Sequence, residues 1–423
     1  MRVLILSADI GDGHATAARA LSAQLRAQGA SVYVDEQLRA LGRMQRFVLR
    51  DGSRLLFRRA PRVYGASYQL LLHSRLARWL ATRSLVRGGS RTMLRMIAEQ
   101  RPDVIVSTYP GTTVVLGALR ASGRVEQPTV ATVLDIAGLF FWAHPGIDLH
   151  LAHWQQSIDE ILAVAPQSAV RHVAPLTSAA FASDVDALQA RRALDLPEDR
   201  SVIVVSGGGW GVGDLRGAVQ AAASVPASYT VCVAGRNEKA RDELAGAFAD
   251  HADVRVLGFT DRMSDLLAAA DVLVHGTGGV TCLEAAARRC PVVLYGFSVG
   301  HVRHNTEAMR ELGLVHAAAS RGQLPLTLQQ VLAQPRPVQP GRAVDAGELI
   351  LNASPRATAK TATARRPTLW QRRRRLASAM LALTATLTFA ISAPGKAIVH
   401  RVPIAKLEHI VDRDHQVARP PTR

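Results

Sequence analysis

The sequence predicts an α/β protein of two doubly wound units, each a parallel sheet with helices on both faces. Short apolar runs without polar alternation recur between residues 2 and 295, and such runs belong to strands buried on both faces. Helical patterns separate them, as the crossovers between parallel strands require. Several runs end directly in glycine, aspartate or histidine, at the strand edge where open α/β sheets bind ligands. The pattern occurs twice, and 423 residues are ample for two cores. The expectation is two Rossmann-like domains facing a cleft, residues 1–172 and 173–336.

The first strand, residues 2–8, runs into Asp9-Ile10-Gly11-Asp12-Gly13-His14, and an Ala-rich helix over 15–28 is closed by Gly29. The strand is too short and too soon broken by charge for a signal peptide. His14 stands where strand becomes helix, a position that suits a base at the mouth of the sheet or a simple helix cap. Residues 39–101 hold fifteen Arg and no Lys against Asp51 and Glu99, a balance of +13. Arg43, Arg46, Arg50, Arg54 and Arg58 recur at helical spacing, with Phe47, Leu70, Leu71, Leu72, Trp79 and Leu80 among the apolar residues between further arginines. Arginine with apolar bulk fits an anionic membrane surface, and a solvated helical face is the plainer alternative. Residues 103–108 and 129–135 are further buried strands, the second ending in Asp135 at the ligand edge. Residues 148–152 and 170–174 continue the sheet.

The second unit opens with the apolar run 201–206 and five glycines, Gly207, Gly208, Gly209, Gly211 and Gly213, before a helix that starts near Asp214. Strand, glycine loop and helix together bring bare N–H groups and a helix N-terminus to a phosphate. Strands over 229–235, 254–259, 271–275 and 291–295 follow. Between the last two, Gly276-Thr277-Gly278-Gly279 leads into a helix bearing Glu284. That carboxylate can accept both hydroxyls of a ribose, or simply be favoured by the helix dipole.

Together these segments resemble the diacylglycerol sugar transferases of the monogalactosyldiacylglycerol synthase type and, more distantly, the lipid II N-acetylglucosaminyltransferase, over residues 2–316. The run Leu6-Ser7-Ala8-Asp9-Ile10-Gly11-Asp12-Gly13-His14 is similar to the family's Gly-Gly-Gly-His loop, with Asp12 in place of the middle glycine. Residues 132–148, ending Trp142-Ala143-His144-Pro145-Gly146-Ile147-Asp148, resemble its acceptor-domain signature, and residues 206–213 its central glycine loop. Ala234-Gly235-Arg236-Asn237-Glu238-Lys239 and Leu257-Gly258-Phe259-Thr260-Asp261-Arg262-Met263 match two short signatures.

The resemblance implies a GT-B architecture and inverting, metal-independent transfer of a hexose from a UDP-sugar to a lipid hydroxyl, diacylglycerol being the fitting acceptor. It implies donor contacts from Gly208, Gly209, Gly211, Arg236, Asn237, Phe259, Met263, Gly278, Gly279, Thr281, Glu284, His301 and Asn305, and an acceptor-side loop at Gly11, Asp12 and Gly13. The base must reach an acceptor entering from the N-terminal domain, and His14 is the imidazole of its first loop. Asp135 is either a rival base or the group that orients His14. No carboxylate cluster suggests a metal, and no cofactor is expected. The family's Lys-X-Gly-Gly is Gly276-Thr277-Gly278-Gly279 here, and His301 replaces the Gln of Gly-Gln-Glu-Glu-Gly-Asn, so the sugar stays open.

The net charge of +17 is uneven: residues 354–423 contribute +11, and the chain outside both basic regions carries −7. An acidic remainder argues against a nucleic-acid binder. Cys232, Cys282 and Cys290 are odd in number and lack metal spacing, so they read as buried free thiols. Residues 337–375 read as a basic disordered linker. Arg372 to Arg375 then precede residues 376–393, which carry no charge. Eighteen helical residues reach about 27 Å, enough for a single transmembrane helix, with a surface-lying helix as the alternative. Flanking arginines place the catalytic domains on the cytoplasmic face of the cell membrane and the short tail 394–423 outside. Two rivals remain: a transferase acting on a polyprenyl-linked cell-wall intermediate, and a non-catalytic UDP-sugar-binding membrane protein.

Overall fold

The computed structural model describes residues 1–353, apart from 11, 12, 37, 184, 297, 298 and 338–343. The N-terminal sheet comprises β1 (Arg2–Leu6), β2 (Ser31–Asp35), β3 (Val104–Ser107), β4 (Thr129–Val133), β5 (Leu149–Ala152) and β6 (Ala169–His172). Its order is β2-β1-β3-β4-β5-β6 and every pairing is parallel. The helices of this half are α1 (Gly13–Ala27), α2 (Arg43–Arg46), α3 (Ser53–Arg59), α4 (Pro61–His73), α5 (Arg75–Gln100), α6 (Pro110–Ala121) and α7 (Ile158–Val164).

After α8 (Ala187–Ala193) comes the second sheet: β7 (Ser201–Ser206), β8 (Ser228–Val233), β9 (Val254–Leu257), β10 (Val272–His275), β11 (Val292–Leu294) and β12 (His316–Ala317). Its order is β12-β11-β10-β7-β8-β9, again all parallel. Its helices are α9 (Leu215–Ala223), α10 (Glu238–Ala247), α11 (Met263–Ala269), α12 (Val280–Ala287), α13 (His301–Glu311) and α14 (Leu324–Leu332).

The lack of alternation in the strands has a direct cause. In β1, Val3 and Ile5 enter one apolar layer while Leu4 and Leu6 enter the layer on the opposite face. In β7, Val202 and Val204 face one layer and Ile203 and Val205 the other. The central strands of each sheet are covered on both faces, which is why their apolar runs do not alternate. The three cysteines are free and buried.

The Arg-rich stretch folds into α2 to α5, interrupted by a π-helical turn at Phe47–Gly52. Its inner side packs Leu85, Met93, Met96 and Ile97 into the core. Met44, Phe47, Leu55, Leu70, Leu76, Trp79 and Leu80 remain exposed. The arginines are not one solvated row: Arg50 turns inward, with Nη1 3.0 Å from Asp9 and Nε 2.9 Å from Asp51.

One expectation needs correction. Part of the stretch read as a disordered linker returns to the N-terminal domain. Val344 bridges Val173 at the edge of the sheet. Helix α15 (Ala346–Leu351) then buries Ala346 and Ile350 in the core around β1. Asp345 caps this helix through the Glu348 N–H and also accepts from Gln28. The pair Ala346 and Ile350 at i, i+4 is a short amphipathic signal that the surrounding Pro and Thr concealed. The uncharged stretch 376–393 and the tail lie outside the described residues. Among the described residues no helix is long and apolar enough to cross a membrane.

Candidate functional site

The C-terminal edges of both sheets open on one cavity of about 570 Å³, lined from both domains. On the N-terminal side, Ser7 leaves the end of β1 and its hydroxyl donates to the His14 carbonyl at 3.0 Å, fixing the first turn of α1. The His14 Nδ1–H donates to the Thr108 carbonyl at 3.0 Å. A carbonyl only accepts, so the proton of the neutral ring is on Nδ1 and Nε2 carries the lone pair. Desolvation lowers the His14 pKa to about 4 and outweighs the opposing pull of Asp135. The Tyr109 and Trp142 rings lie 5.1 and 5.5 Å from the imidazole. Asp135 follows β4, and its Oδ2 accepts from Trp142 Nε1 at 2.7 Å. Gly13 lines the cavity, while Gly11 and Asp12 lie outside the described residues.

The opposite wall combines glycine loops with side chains. Gly208 and Gly209 line the cavity directly behind β7. Gly235 has φ +61°, and a Cβ there would sit 2.4 Å from the Gly208 carbonyl oxygen, so the two loops can only nest with glycine present. The Arg236 N–H donates to the Gly209 carbonyl at 2.9 Å. Its guanidinium lies 3.8 Å over the Phe259 ring, and both line the cavity beside Met263. Gly278, Gly279 and Thr281 surround the start of α12, which no side chain caps. The N–H groups of that first turn are therefore placed for an anion. Glu284 sits one turn further in, and burial raises its pKa to about 7.

Two expected donor contacts stand elsewhere. Gly211 and Asn237 do not line the cavity. Asn237 Nδ2 donates to the Gly211 carbonyl at 3.4 Å while its Oδ1 caps α10 through the Ala240 N–H, so the pair braces the loop from behind. Asn305 does reach the cavity wall, but its amide is engaged with the N-terminal domain: Oδ1 accepts from the Ile136 and Ala137 N–H groups and Nδ2 donates to Asp135.

Sequence reasoning missed several residues. His275 forms part of the cavity floor, its Nδ1–H on the Ser206 carbonyl and its Nε2 accepting from the Thr277 hydroxyl at 3.0 Å. Burial holds its pKa near 4 as well, so this floor is neutral. Helix α4 crosses to α13: the Tyr64 hydroxyl is 2.9 Å from His301 Nδ1, and Gln69 Nε2 donates to His304 Nε2 at 3.1 Å. Gly300 has φ +58° and a Cβ there would lie 2.6 Å from the Tyr64 ring. Arg54 stands 5.9 Å from the Trp210 ring above the glycine loop. None of these pairings has a signal at fixed sequence spacing. Among the described residues no group of three or more His, Cys, Asp or Glu converges as metal ligands would.

The comparisons with known proteins follow the same division. Residues 14–170 match the family model described as monogalactosyldiacylglycerol (MGDG) synthase, and residues 202–330 match glycosyl transferases group 1. A processive diacylglycerol beta-glucosyltransferase of Bacillus cereus (strain G9842) is 23% identical over 324 residues, covering 74% of this chain and 80% of the relative. The glycosyltransferase SnogD from Streptomyces nogalater superposes with a TM-score of 0.50 at 19% identity, covering 79% of this chain and 91% of SnogD. Os79 from O. sativa, in complex with U2F and trichothecene, gives 0.51 at 14% identity, covering 78% and 91%. These structures share the GT-B fold, two parallel Rossmann-like sheets about a cleft. The chain is thus a glycosyltransferase that makes glycolipids, similar to the monogalactosyldiacylglycerol synthase family over its N-terminal half and to group 1 glycosyltransferases over its C-terminal half.

Proposed function

We propose that this glycosyltransferase moves a hexose from a UDP-sugar to the free hydroxyl of diacylglycerol, with inversion, at an anionic membrane surface on the cytoplasmic face. One observation carries the reading: a single cavity sets a neutral imidazole with a free-standing lone pair opposite glycine loops and an uncapped helix start.

On this reading His14 Nε2 takes the proton of the acceptor hydroxyl as its oxygen attacks the anomeric carbon. The bond from that carbon to the diphosphate oxygen breaks on the opposite face, which inverts the configuration. The charge left on UDP meets the N–H groups of the Gly208 and Gly209 loop and of the first turn of α12. Asp135 supports the imidazolium that forms. Phe259, Arg236 and Met263 hold the base, Glu284 accepts the ribose hydroxyls, and His301 faces the sugar. The exposed apolar residues and arginines of α2 to α5 lie against the lipid, where rings and Leu side chains enter the acyl boundary.

Diacylglycerol is preferred over a polyprenyl-linked acceptor because curated relatives that match about three quarters of this chain are named for diacylglycerol. The test incubates the full chain with diacylglycerol in anionic or neutral vesicles and a panel of UDP-sugars, reading UDP release and the mass of the lipid product. A monohexosyl diacylglycerol formed mainly on anionic vesicles is expected. A product only with a polyprenyl-linked acceptor replaces the acceptor, and UDP binding without any transfer makes the chain a binder.

A further inference from the structure

Asn305 is 1% exposed and bridges the two domains with every polar atom of its side chain. Its Oδ1 accepts from the N–H groups of Ile136 and Ala137, both at 3.2 Å, and its Nδ2 donates to Asp135 Oδ1 at 2.9 Å. One side chain of α13 thus holds three consecutive residues at the end of β4. The other Asp135 oxygen is taken by Trp142, whose ring packs 5.5 Å from His14. Carboxylate, indole and imidazole therefore form one packed group whose fourth side is supplied by the other domain. His14, His301, Tyr64 and Tyr68 are the titratable groups that feel Asp135. An amide suits the place, since it combines two acceptor lone pairs with a donor on one short stem. An apolar residue there would leave buried N–H groups and a carboxylate unsatisfied.

We propose that Asn305 is a positioning residue that, from the donor-binding domain, fixes Asp135 and through it the His14 imidazole, so that deprotonation of the acceptor requires the two domains to be closed on each other. The inference rests on the reading of His14 as base. It removes Asn305 from the residues that hold the nucleotide and gives it a role in the chemical step.

The test uses the full chain with Asn305→Ala, Asn305→Asp, Asp135→Ala and the double alanine variant. UDP affinity is read by calorimetry, and kcat and donor KM with the UDP-sugar the panel selects. Asn305→Ala should leave UDP affinity and donor KM within about threefold and lower kcat roughly ten- to hundredfold, the scale of a displaced catalytic group. In the Asp135→Ala background the same change should alter kcat by less than about threefold, because coupled residues are not additive. In Asn305→Asp, a protonated carboxyl can donate to Asp135 while its other oxygen accepts from Ile136 and Ala137. Two adjacent carboxylates resist ionising together. Its kcat relative to wild type should therefore be highest at low pH and fall as pH rises.

A tenfold rise in donor KM or loss of UDP affinity in Asn305→Ala with kcat intact would make Asn305 a donor ligand and overturn the inference. Fully additive losses in the double variant overturn it while leaving the base in place. A wild-type pH profile for Asn305→Asp overturns it even if the alanine variant does not fold. Unimpaired transfer by His14→Ala or Asp135→Ala removes the underlying reading, and the inference falls with it.

Discussion

The two walls of the cavity are made of different material. The C-terminal wall includes two glycine loops, at Gly208 and Gly209 and at Gly278 and Gly279, beside the side chains of Arg236, Phe259 and Glu284. The N-terminal wall is side chain: His14, Tyr109, Asp135 and Trp142, each locked to a neighbour by a hydrogen bond or ring contact. A backbone wall suits a ligand that is anionic and the same in every cycle, because peptide N–H groups neither titrate nor rotate away. A side-chain wall suits proton transfer, which needs a group that can change charge. The difference predicts that damage to the two walls separates into binding and rate.

The largest effect should come from the side-chain wall. General-base loss typically lowers the rate by about 10²–10⁴. His14→Ala is expected to keep its fold and its UDP affinity and to lose nearly all transfer, measured as lipid product formed in single-turnover and steady-state assays. A variant with near-normal turnover, beside an inactive Asp135→Asn, would move the base to Asp135 and leave His14 as a helix-terminal residue.

On the donor wall the expected effect is smaller and appears in binding. Glu284 lies in the cavity one turn into α12. Losing a charged hydrogen-bond partner weakens an interaction by about 1.5–3 kcal/mol. Glu284→Ala should therefore weaken UDP binding at least tenfold by calorimetry. Equal UDP affinity in this variant and the parent chain would take Glu284 out of the site and blur the division between the walls.

The two materials also differ in how far the sequence discloses them. The strands and the glycine loops are local: apolar runs, glycine clusters and the helix after each are contiguous, so residues 201–213 and 271–284 announce their geometry at fixed spacing. The side-chain wall is assembled across long separations. Trp142 meets Asp135 within one signature, but Asn305 reaches Asp135 across 170 positions and Tyr64 reaches His301 across 237. No periodicity encodes such pairings. Gly211 and Asn237 show the converse. Their motif is legible, yet whether a loop residue faces the ligand or braces the loop depends on where Ala234 and Gly235 fold back against it. The return of Ala346 and Ile350 to the first domain was concealed for the same reason, since their partners lie at the far end of the chain.

The smallest expected effect is a dependence of donor affinity on pH, and it sharpens the contrast because the donor wall has a titrating group placed among peptides that do not titrate. Burial alone raises the Glu284 pKa to about 7. Relative to an unfolded chain, such a carboxyl stabilises nothing as pH rises: its stability contribution is intact below the ordinary carboxylate range and is lost on approach to pH 7. Ribose hydroxyls donating to the carboxylate favour its charged form and should lower that pKa in the complex. Binding below pH 7 then releases a proton, so affinity rises with pH and levels off above it. With UDP-glucose, whose diphosphate diester does not titrate in this range, the expected gain from pH 6 to pH 8 is about tenfold, one decade per unit below the free-state pKa. His14 and His275 stay neutral throughout, since burial holds both near 4. Calorimetry in two buffers of different ionisation enthalpy measures both the affinity and the released proton. Glu284→Gln should abolish the slope. A flat profile in the parent chain, with no proton released at pH 6, would show that the carboxylate does not meet the ribose.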